Sequence, residues 1–104
     1  MEEQITQALL NRGITRGLSG YDPLVSLVER FIRDPCMYED SLDAVAQENH
    51  ITVKALKSRI RTIARHYEET NLDGFQSMMV GGPYRLRILV RTLANDAEML
   101  LPSA

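Results

Sequence analysis

A chain of 104 residues, 44% hydrophobic and 25% charged, has the size and composition of one soluble globular domain with a single core. Its net charge of −2 argues against an indiscriminate polyanion binder but not against a sequence-reading module, where what matters is where the charge sits. Cys36 is the only cysteine, which excludes an internal disulfide and fits a reducing, cytoplasmic setting.

In chain order, Glu2–Asn11 reads as a short helix with Ile5, Ala8 and Leu9 on one side and two acids in its first turn. The acidic start, without a basic or apolar leader, is expected to carry no signal peptide. Nowhere does the run of roughly 18 apolar residues needed to span a membrane occur. Gly13 stands where a helix leaves in a left-handed conformation, and Ile14 and Leu18 in the following loop are expected to plug into the core. Asp22 then reads as an N-cap with Pro23 in the first helical position. Leu24, Val25, Leu27, Val28, Phe31 and Ile32 give the broad apolar face of a central helix, which ends at Asp34-Pro35.

After a linker at 36–39, residues 41–49 form a brief helix with Leu42, Val45 and Ala46 inward and Asp40 or Ser41 as cap. Asn49 is the expected left-handed residue of the turn that follows. Asn71 is expected to open a helix over 72–80 with Leu72, Phe75, Met78 and Met79 apolar. Gly81-Gly82-Pro83 breaks the chain, and 84–101 form a last helix with Leu86, Leu89, Val90, Leu93, Ala97 and Leu100 inward. The expected architecture is all-α, a compact bundle of about six helices containing a helix-turn-helix, with residues 1–104 as one domain.

The informative stretch is 49–69. Val53, Leu56, Ile60, Ile63 and Tyr67 recur at helical steps, and Thr52 suits the N-cap. Lys54, Lys57, Arg61 and Arg65 follow the same steps on another side, with Ser58 beside them and Arg59 around the corner. Between His50 and Tyr67 there are five cations and no acid, whereas 38–49 hold four acids and no base. Two short helices joined by a few residues, the second cationic, are the outline of a helix-turn-helix, whose second helix enters the major groove of DNA. Cations there displace counterions from phosphates, and Lys or Arg can read guanine edges. The expected base-facing set is Lys54, Lys57, Ser58 and Arg61, with Thr52 and Arg65 on phosphates.

The pairs Gly13-Ile14 and Gly20-Tyr21, the apolar helix ending near Asp34 and Ile60-Arg61 in the second motif helix resemble one family. It is the C-terminal DNA-binding effector domain of the sporulation initiation response regulator, the stage-zero A regulator of endospore-forming bacteria. The resemblance covers nearly the whole chain, most closely 5–34 and 51–71. It implies a six-helix fold, a basic helix in the major groove and tandem or dimeric binding to short repeated sites. By the same resemblance Lys57 and Ser58 take the places of the family's acidic and arginine base-readers, and Arg61 that of a retained arginine. The family's Leu-Tyr-Pro segment is missing, and the linker before the motif is shorter. The family's target sequence is therefore not carried over, and no receiver domain is expected in 104 residues without βα alternation.

Other features carry less. Arg85, Arg87 and Arg91 suit ordinary surface positions, or contacts to phosphate or a neighbouring subunit; Arg12 and Arg16 are open in the same way. His50, His66 and Cys36 lack metal-ligand spacing, and the glycines belong to no phosphate-cradling motif. The expectation is a non-enzymatic regulator without cofactor or metal whose partner is double-stranded DNA, bound as a homodimer or in tandem. The alternative is a helical adaptor of the same fold that binds a protein partner.

Overall fold

Every regular element in the computed structural model, which describes residues 1–79 and 86–102, is helical. Six α-helices follow one another: α1 (Glu2–Asn11), α2 (Tyr21–Arg33), α3 (Tyr38–Glu48), α4 (Val53–Thr70), α5 (Leu72–Met78) and α6 (Leu86–Met99), with a 3₁₀ turn at Pro35–Met37. The all-α bundle expected from periodicity is present. α2 touches α1, α3, α4 and α6, so the longest apolar run does lie at the centre. Leu24, Leu27 and Val28 of α2 share one cluster with Ile5 and Leu9 of α1, Leu42 and Val45 of α3, Leu56, Ile60 and Ile63 of α4, and Leu89 and Leu93 of α6. The radius of gyration, 12.9 Å, is the ~13 Å of a single close-packed body of this length.

Two turns share one hydrogen-bonding scheme. After α1, Gly13 takes φ +80°, its N–H reaches the Leu10 carbonyl, and Ile14 N–H reaches Leu9. After α3, His50 takes φ +55°, its N–H reaches the Gln47 carbonyl, and Ile51 N–H reaches Ala46. Both are the left-handed C-terminal motif in which two orphan carbonyls are satisfied at once. The reversal therefore sits on His50 and not on Asn49. Asn49 stays at φ −98° as the helix's last cap, with its N–H and its side-chain amide both bonded to the Val45 carbonyl.

Other boundaries also move. α2 begins at Tyr21 with Gly20 as N-cap, so Asp22 does not cap it and Pro23 is third in the helix. Nothing is lost there, because the first-turn N–H groups have no intrahelical partner. α3 begins a turn early, at Tyr38, so Asp40 and Ser41 lie inside it and cap nothing. The cause is Tyr38 itself, 6% exposed and set edge-on to Phe31 at 6.3 Å, which gives the extra turn something to bury. Asn71 caps α5 by accepting from Gly74 N–H at 3.1 Å. Leu100, expected inward, is 41% exposed because it lies past the end of α6; Leu72, an apolar member of the expected 72–80 helix, is 51% exposed at the start of the seven-residue α5. The expected glycine break at 81–83, and Tyr84 and Arg85 at the start of the last helix, lie outside the described residues.

Candidate nucleic-acid interface

The rotational setting of α4 is decided by its apolar side. Leu56, Ile60, Ile63 and Tyr67 are fully buried and Ala64 is nearly so. Burying each large side chain is worth about 1.5–3 kcal/mol, so rolling the helix by a quarter turn would forfeit several such contributions. Thr52 fixes the start, its hydroxyl accepting from Ala55 N–H at 3.0 Å. That bond uses an oxygen lone pair and leaves the hydroxyl proton free to donate.

With that side inward, Lys54, Ser58, Arg61 and Arg65 lie in one exposed stripe at helical spacing. Lys57 and Arg59 are half-buried on opposite shoulders of it. The six expected site residues thus sit on one element, with Thr52 exposed at its head. Among the described residues, the ion pairs are Arg12–Asp96, Arg30–Glu48 and Arg33–Glu29, so no carboxylate among them pairs with a cation of α4. The first acid on the stripe is Glu68. α3 and α4 are joined by four residues, 49–52.

The helix is braced at three points that periodicity does not reveal. Gly20, at the head of α2, lies against the α4 main chain; a Cβ there would stand 2.9 Å from the Arg59 carbonyl oxygen. Arg12, left open by the sequence, is a structural clamp: its Nε and Nη2 donate to the Asp96 carboxylate of α6, and its Nη1 donates to the Tyr67 hydroxyl at 2.6 Å. The Asp96 fork holds the guanidinium pKa above its ordinary value against the opposing cost of burial. Gly74 of α5 leaves room for the same hydroxyl, since a Cβ there would come within 2.6 Å of it. The glycines were visible as residues, but their partners were not.

α5 folds back beside the C-terminal half of α4, with Phe75 edge-on to Tyr67 at 6.0 Å. Arg61, Ala64, Arg65, Glu68 and Phe75 line an open cleft of about 280 Å³ between the two helices. On α6, Arg87 donates to the Pro35 carbonyl at 3.4 Å and lies over the Tyr38 ring, while Arg91 is exposed. Tyr38 has its pKa pushed up to about 12, first by burial and then by neighbouring Glu39, with Arg87 pulling the other way. Among the described residues no group of His, Cys, Asp and Glu side chains is placed to hold a metal ion. No helix among them is long and apolar enough to cross a membrane.

Comparison of the chain with family models, with curated proteins and with solved structures found no match.

Proposed function

We propose that this protein is a sequence-specific, non-enzymatic DNA-binding transcription regulator. In this reading α3 and α4 form a helix-turn-helix, and α4 lies in the major groove of double-stranded DNA. The observation that carries it is the α4 stripe: four exposed cationic or hydroxyl side chains in register, none paired with a carboxylate among the described residues, on a helix whose other side is locked in the core. Positive charge held in one surface on a chain of net charge −2 favours a partner that meets that surface alone. The resemblance to the stage-zero A effector domain supports the same reading and suggests paired half-sites. One short helix offers few base contacts, so a homodimer or tandem arrangement supplies the rest. The working compartment is the cytoplasm.

The test is selection of bound duplexes from a random pool, followed by titration of the selected sequence and of random duplex at several salt concentrations. A recovered motif, tighter binding to it than to random DNA, and affinity falling steeply with salt are expected. If the purified protein retains no duplex even at low salt, the reading fails and the adaptor alternative replaces it.

A further inference from the structure

We infer that the α4–α5 cleft seats a phosphodiester of the DNA backbone, so that the α4 stripe divides into a base-reading half and a backbone-holding half. This rests on the duplex-binding reading above and changes one assignment in it: Arg61 belongs with Arg65 on phosphate, and the base readers are Lys54, Lys57 and Ser58.

Arg61 and Arg65 are four residues apart, both exposed, and both line the cleft. The cleft is open to solvent, unlike the sites that bury most of a small molecule's surface. A group carried on a passing chain suits it better. The stripe from Lys54 to Arg65 spans eleven residue steps, or about 16 Å at 1.5 Å each. A straight rod of that length cannot follow the curving floor of a groove ~12 Å wide, so one end must rise toward a sugar–phosphate rail. The N-terminal part of such a helix ordinarily goes deepest. At the other end α5 forms a second wall beside Arg61 and Arg65. Two arginines against the single carboxylate of Glu68 leave the lining net positive, which favours an anionic occupant such as a phosphate oxygen.

Glu68 limits the cleft. Its carboxylate lies on the same side of α4 as the two arginines, one turn beyond Arg65, and it also lines the cleft. A phosphate sliding toward it meets like charge, so Glu68 sets where the backbone stops. Removing that charge should tighten binding to any duplex.

The experiment measures anisotropy of labelled selected and random duplexes against salt for the wild type and for Arg61→Ala, Arg61→Lys, Arg65→Ala, Glu68→Gln and Lys57→Ala. Arg61→Ala and Arg65→Ala should each weaken both duplexes by the same factor and lower the log–log salt slope by about 1, with the selected motif unchanged. Arg61→Lys should keep the wild-type slope, and Glu68→Gln should bind both duplexes more tightly. Lys57→Ala should change the preferred motif. All replaced side chains are exposed or half-buried, and an unchanged thermal midpoint checks that each variant folds. An altered motif with an unchanged slope for Arg61→Ala, or no gain for Glu68→Gln, overturns the inference while leaving duplex binding intact. Absence of duplex binding by the wild type overturns both.

Discussion

The backbone carbonyl of Arg59 lies so close to Gly20 that a methyl group on the glycine would stand 2.9 Å from its oxygen. The head of α2 is thereby pressed onto the middle of α4, and the obstacle is main chain, which cannot swing aside as a flexible side chain can. Gly20→Ala should cost about 1–3 kcal/mol through the forced shift. In a domain of this size that is a fall of roughly 4–8 °C in thermal midpoint for each kcal/mol. Calorimetry reads it directly, and an unchanged midpoint would show that the two helices are not held in this contact.

His50→Gly should act in the opposite direction. A left-handed backbone costs a side-chain-bearing residue about 1–2 kcal/mol, and glycine returns part of that gain as extra entropy in the unfolded chain. A net stabilisation of about 0.5–1 kcal/mol is expected in urea denaturation. Asn49→Gly should not stabilise, because Asn49 has a negative φ and its side chain bonds the Val45 carbonyl.

The Arg12 clamp joins the end of α1 to α4 and α6 through Tyr67 and Asp96. Asp96→Ala leaves a partly buried guanidinium with one of its two partners gone, at a cost of about 1.5–3 kcal/mol for the lost charged hydrogen bonds. Lys54→Ala, on the exposed stripe, should change the stability measured by urea denaturation by less than about 0.5 kcal/mol. If the two substitutions cost the same, the clamp contributes nothing.

Tyr38 links stability to alkaline pH. Its phenol has an ordinary pKa of 10.0 and is raised to about 12 in the folded protein, so folding favours the protonated form. The corresponding stability is fully present below pH 10 and is lost as the pH rises from about 10 toward 12. Tyr38→Phe should flatten the decline across that window, measured by urea midpoints between pH 9 and 12. A decline of the same size in Tyr38→Phe would assign it to other groups.

The helices were legible because their information is short-range. Apolar side chains three and four residues apart in 24–32, 53–67 and 86–97 mark both the helices and the sides they bury. The cationic stripe of α4 is what remains of its circumference once that side is turned inward. Gly13 was equally legible, since a left-handed exit at the end of a periodic segment is a local requirement. The second such exit was displaced by one residue to His50, because the turn's register follows Ile51, which packs against the core and bonds Ala46, and not the preference of Asn49.

Sequence alone therefore determined the helical class, the inward face of each principal helix and the cationic spacing along α4. Tertiary structure alone decided which arginines remain available. Arg12 and Asp96, 84 residues apart, are joined only when α1 and α6 pack, and Arg87 turns to Pro35 and Tyr38 only when α6 meets the start of α3. It also brought α5 beside Arg61 and Arg65 to make a cleft. Periodicity reports the neighbours one turn away along a helix, whereas these pairings depend on how separate helices come to rest against one another.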